Sequence, residues 1–138
     1  MSTRTSSGFA SCEMREPFNA YFPQLRDEVL GIMRGAPECH GWDHTLRVWQ
    51  NCRKILQAEE ADSAVVQYAA LLHDIGRAEE FRSQGKICHA EQGAHQVPLI
   101  LERIGILDTN FTDHVRKCVR THRYRSLESA RPGSIEAE

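Results

Sequence analysis

The residues able to do chemistry in this chain gather around one dipeptide. His73 and Asp74 stand side by side in AALLHDIGR. Val65, Ala69 and His73 recur every four residues, so a helix through them carries the imidazole along its apolar face. Asp74 lies about 100° further round the same axis. A carboxylate delivered to an apolar interior needs a cation beside it, either a charged side chain or a metal ion. Arg77, one turn on, and Arg47 are side chains that could pair with it, leaving His73 a satisfied core histidine. The other partner is His44, about thirty residues upstream in HGWDHTLRVWQ, at the start of its own helix. A short antiparallel helix pair would bring that first turn beside the end of the His73 helix. Two imidazoles and one carboxylate then make a half-built site for a divalent metal of borderline character.

The elements that must position these groups are helices. Apolar residues recur at helical spacing throughout, and no stretch alternates as a half-buried strand would. The sequence therefore predicts an all-α fold, a bundle of five to six helices. The first helix follows Pro17 and runs through Leu25, Val29, Ile32 and Met33 to Gly35, before Pro37 forbids continuation. The second begins near Trp42 with Leu46, Trp49, Arg53 and Leu56 at steps of three and four, its apolar stripe widened by Val48, Cys52 and Ile55. Asp62 or Ser63 caps the third, where Val65, Tyr68, Ala69 and Leu72 form the buried stripe and Gly76 is the stop. A polar loop is expected from about Arg77 to Lys86. The fourth helix spans about His89 to Arg103, closed by Gly105, with Pro98 inside it to bend or split it. The fifth carries Phe111, Val115, Cys118 and Val119 to about His122. A loop, RYRSLESARPGS, follows, and SIEAE reads as the first turn of another helix capped by Ser134.

Composition narrows the class. The chain has 138 residues, 41% hydrophobic and 26% charged, with 17 Lys+Arg against 19 Asp+Glu. That is one ordinary globular domain with enough apolar content for a core, unlike a disordered acidic tail. The slight acidic balance argues against a nucleic-acid polymer as partner. Five widely spaced cysteines without a CxxC pair do not form a disulfide framework and suit a reducing cytoplasm. No apolar run approaches the roughly 20 residues that span a bilayer. Residues 1–14 read as a flexible N-terminal segment rather than a signal, and 15–138 as the helical domain. Oligomeric state has no signal.

His44 followed by LLHDIGR, together with HAEQGA, resembles the HD-domain superfamily of metal-dependent phosphohydrolases from about His40 to His122. The resemblance implies an all-α bundle in which His44, His73 and Asp74 ligate a divalent metal. It implies for His89 in HAEQGA and His122 in VRTHRY a second metal or a contact to substrate phosphate, as in some branches of the family. His40, His95 and His114 read as structural or solvated. The family pattern has a further ligand in an Asp-x-Asp motif, which this sequence lacks: Asp108 reads as a helix cap and Asp113 as helix surface. The expectation is a domain shortened at its C-terminal end, or a degenerate HD protein.

The activity implied is hydrolysis of phosphate esters or anhydrides of small substrates, nucleotides above all. His and carboxylate ligands accept Mn, Fe, Co, Ni, Zn or Mg, with Mn or Fe favoured. Arg77, Lys86 and Arg123, with Arg125 beside it, are candidates to hold phosphate, since a guanidinium grips two oxygens at once. Trp42, Trp49 and Phe81 either line a base pocket or belong to the core. A non-catalytic HD-type module binding metal or nucleotide is the alternative function, and two-iron oxygenase chemistry a distant third.

Overall fold

The computed structural model describes residues 13–34, 41–58 and 60–121. They form six helices in chain order: α1 Phe18–Met33, α2 Trp42–Leu56, α3 Ser63–Leu72, α4 Arg77–Arg82, α5 His89–Ile104 and α6 Thr109–Thr121. No strand occurs among the described residues, as the helical periodicity implies.

Helix α3 is the axis of the bundle. Its sequence, SAVVQYAALL, is apolar on nearly every side, and a helix apolar all round must be covered all round. Helices α1, α2 and α6 pack against it. The Asp62 carboxylate caps its start, with Oδ1 accepting the Ala64 and Val65 backbone N–H groups at 3.1 and 3.3 Å. Around Tyr68 the core is aromatic. Phe18 from α1 stacks on Phe111 from α6 at 3.8 Å between ring centroids, and Tyr68 meets both edge-on. The Tyr68 hydroxyl donates to the Phe18 carbonyl at 2.7 Å. Helix α5 pairs with α6 and closes the far side, burying Ala94, Val97, Ile100 and Leu101.

Three expectations change. Residues 77–82 are a helix, α4, where a loop is expected. Its short-range charges explain this, because Arg77 pairs with Glu80 at 2.9 Å and Arg82 with Glu79, each three residues apart on one face. Helix α5 runs unbroken through Pro98, so the proline does not split it. Helix α2 packs chiefly on α3 and buries only Thr45 and Leu56 fully. The Val48, Cys52, Ile55 stripe is therefore not core: Val48 and Cys52 are half-buried and Ile55 is 57% exposed. Gly105 ends α5 as expected, in a left-handed conformation (φ 108°) that suits glycine.

Candidate metal centre

Helix α3 stops one residue before the His-Asp pair. His73 is its C-cap, and the chain turns through Asp74, Ile75 and Gly76 into α4. The turn leaves Asp74 almost wholly buried, at 1% exposure. Helix α2 packs so that its first turn meets the end of α3. That places His44 Nε2 at 3.5 Å and His73 Nε2 at 3.4 Å from the same carboxylate oxygen, Asp74 Oδ2. The His44 and His73 ring centroids are 5.6 Å apart, and one donor atom from each of the three residues falls within a 4.8 Å span.

These separations fit a shared ion. Two donors each about 2.1 Å from one metal sit no further apart than about 4.2 Å. The tautomer of His73 fits as well. Its Nδ1 lies 2.7 Å from the Ala70 carbonyl, so Nδ1 carries the proton and Nε2 is left with the lone pair that a ligand needs. His44 keeps the site reachable, its side chain being 32% exposed.

The second oxygen of Asp74 has different neighbours. Arg77 Nε donates to Oδ1 at 3.2 Å, and His89 Nε2 lies 3.7 Å from it. The Asp74–Arg77 ion pair and the imidazole cluster thus coexist, one on each oxygen. Arg77 also donates from Nη1 to Glu80 at 2.9 Å, so two of its three nitrogens face protein carboxylates. His89, the first residue of α5, is buried. Its closeness depends on Gly76, since a Cβ there would fall 2.2 Å from the His89 carbonyl oxygen. Glu80 holds the other side of His89, with Oε2 accepting its backbone N–H at 3.0 Å and facing Nδ1 at 3.1 Å.

These contacts set the charge states. Burial pulls the Glu80 carboxyl up, but the His89 backbone and ring hydrogen bonds and the Arg77 guanidinium outweigh it, leaving Glu80 below the ordinary carboxylate range. Burial pushes His89 below its ordinary value, with Arg77 acting the same way and Glu80 and Asp74 opposing. Burial thus favours the neutral imidazole at His89, the form that ligates metals.

Of the sequence candidates, the structure brings together His44, His73, Asp74, His89 and Arg77. Lys86 is exposed on the connection between α4 and α5. His122, Arg123, Arg125 and the SIEAE segment lie outside the described residues. Asp108 is a cap, its Oδ1 accepting the Phe111 backbone N–H at 3.1 Å, and Asp113 is surface, paired with Arg116. His95 is exposed and His114 half-buried on α6. Trp42 and Trp49 pack on the core, whereas Phe81 is exposed. Sequence reading missed Glu80. Its signal was available only as a charged residue one helical turn beyond Arg77. Glu80, Cys88 and His89 form a second group of close donor atoms.

No helix among the described residues is long and apolar enough to cross a membrane. The chain is 32% identical to a 3-dehydroquinate synthase of Lactococcus lactis subsp. cremoris (strain MG1363), over 54% of this chain and 23% of that protein. It therefore spans about a quarter of that relative's length. No solved structure matches significantly. The HD-domain family profile matches residues 41–138, which takes in α2 to α6 and every residue of the cluster around Asp74; the chain belongs to the HD-domain family.

Proposed function

We propose that this protein is a metal-dependent phosphohydrolase acting on phosphate ester or anhydride bonds of small substrates, nucleotides in particular. Membership of the HD-domain family indicates metal-dependent hydrolase-type function. The observation that carries the finer reading is the convergence of His44 Nε2 and His73 Nε2 on one oxygen of a buried carboxylate. A structural core histidine needs one partner, and an ion pair for Asp74 is already supplied by Arg77. Two further imidazoles on the opposite oxygen form a donor set beyond what neutralising one charge requires.

His44, His73 and Asp74 would hold the ion; we favour Mn or Fe, which this nitrogen and oxygen donor set accepts. A divalent ion held there would supply Lewis-acid chemistry, polarising a phosphoryl oxygen and acidifying water. The protein's own part is orientation and charge. The Ala70 carbonyl fixes the His73 ring, Arg77 balances the second oxygen of Asp74, and the half-exposed His44 leaves the centre open to an entering phosphate. Phosphoryl transfer needs such positioning and charge neutralisation more than covalent chemistry. His89, Lys86, His122 and Arg123 are the candidates for further phosphate contact. We also place the protein in the cytoplasm, where the thiols of Cys52, Cys88 and Cys118, none of them in a disulfide among the described residues, stay reduced.

A panel of nucleoside mono-, di- and triphosphates tests the reading, with Mn²⁺ or Fe²⁺ supplied to wild type and to Asp74→Ala. Metal-dependent phosphate release by wild type alone is the expected result. Metal-free turnover equal in both proteins contradicts it. Metal binding without any turnover moves the assignment to a non-catalytic HD-type module.

A further inference from the structure

Four side chains, Asp74 among them, close a ring of contacts. Arg77 lies between two carboxylates, with Nε on Asp74 Oδ1 at 3.2 Å and Nη1 on Glu80 Oε1 at 2.9 Å. The other Glu80 oxygen, Oε2, accepts the His89 backbone N–H at 3.0 Å and faces His89 Nδ1 at 3.1 Å. His89 Nε2 then returns to Asp74 Oδ1 at 3.7 Å.

An ionised carboxylate only accepts hydrogen bonds, so the ring nitrogen beside Glu80 carries the proton and Nε2 carries the lone pair. We infer that Glu80 is a positioning residue: it fixes the tautomer and ring angle of His89 so that Nε2 is offered to a cation on Asp74, from the Oδ1 side. Resting on the metal-dependent reading of Asp74, it adds a residue that acts only through another. Three features favour it. The 3.7 Å between Nε2 and Oδ1 lies within the reach of two donors on one ion. The same Glu80 oxygen holds both the backbone and the ring of His89, so the ring cannot turn without losing its hydrogen bond. And the carbonyl of His89 sits so close to Gly76 that the start of α5 has little room to shift.

The competing arrangement is an ion held by Glu80, Cys88 and His89 themselves, whose donor atoms lie within 4.8 Å of one another. Both Glu80 oxygens already accept hydrogen bonds, one from the Arg77 guanidinium and the other from the His89 backbone. A proton on Nδ1 fits that surrounding better than a metal does.

Two measurements on the full chain test the inference. Nitrogen NMR of the metal-free protein reads the His89 tautomer directly. The Nδ1–H form is expected in wild type, and a shift toward Nε2–H in Glu80→Leu. Titration of metal-stripped protein with Mn²⁺ gives the second reading. Outer partners of ligating histidines typically govern affinity by 10–100-fold, so Glu80→Leu should weaken binding by that order. Glu80→Gln, whose amide oxygen still accepts from Nδ1–H, should lose less, and Glu80→Leu should add nothing in a His89→Ala background. If the leucine variant does not fold, the glutamine variant decides by the same two readings. Unchanged tautomer and unchanged Mn²⁺ affinity, where Asp74→Ala abolishes binding, overturn the inference. A loss of affinity in Cys88→Ser equal to that of the Glu80 variants overturns it in favour of the competing site. Binding that survives Asp74→Ala overturns the metal reading itself.

Discussion

Tyr68 and Asp74, six residues apart, are equally buried, at 0% and 1% exposure, and the protein treats them in opposite ways. Tyr68 is an aromatic core residue with one polar atom. Its hydroxyl makes one hydrogen bond to the Phe18 carbonyl, and burial, with Glu16 and Tyr21 adding to it, pushes its ionisation far above the ordinary value. Its polarity is incidental to packing. Asp74 is surrounded instead by a guanidinium and three imidazoles, all within 4 Å of its oxygens. One cation suffices to neutralise a buried carboxylate. The surplus is what the metal centre proposed above requires. The difference teaches how to tell a satisfied buried polar group from a site: by the count and chemistry of its partners, since burial is the same for both.

If the two regions are separate in function, substitutions should separate them too. The largest loss of stability is expected from Phe111→Ala, which removes one ring of the stacked pair beside Tyr68. Thermal or denaturant unfolding should show destabilisation of about 3–5 kcal/mol, while the Mn²⁺ affinity of the folded fraction stays at the wild-type value. A fall in that affinity would join the aromatic core to the metal centre. Gly76→Ala sharpens the comparison from the other side. Its Cβ overlaps the His89 carbonyl, so α5 must shift. Overpacking of this kind costs about 1–3 kcal/mol, and here Mn²⁺ affinity should fall along with stability because His89 moves. Lost stability with unchanged affinity would leave His89 outside the centre. The smallest effect is expected at Thr45, next to His44. Thr45 is fully buried, and its hydroxyl has no hydrogen-bond partner among the described residues. Thr45→Val replaces an unsatisfied polar atom with a methyl group of the same size and should stabilise by about 1 kcal/mol, again with unchanged Mn²⁺ affinity. A loss of affinity there would assign the hydroxyl to the site.

Much of this is legible in the sequence alone. The spacing of Val65, Ala69 and His73 carries the imidazole to the core end of α3, although the helix ends at Leu72 and it is the turn beyond that places Asp74. The pairing of His44 with that end follows from two helices joined by a short connection. Gly105 and the Asp62 and Asp108 caps are local signals with local causes, and each appears where its chemistry predicts. What stayed hidden depends on contacts between segments. Glu80 looks like a surface charge in RAEEFR until α5 turns its first residue toward it. Gly76 reads as a helix stop, whereas its structural reason is the His89 carbonyl pressed against it. The apolar stripe of α2 marks a face without saying how much of it a neighbour covers, and Ile55 stays exposed. Helix α4 was missed because its stability comes from charge pairs rather than an apolar stripe.

Ion binding at Asp74 is most directly tested by calorimetric titration of metal-stripped wild type and Asp74→Ala with Mn²⁺, both checked for intact helical content. Wild type should take up the ion with a saturating stoichiometry, and the folded variant should take up none. Equal uptake by the two proteins, or none by wild type, would contradict a metal centre built on His44, His73 and Asp74.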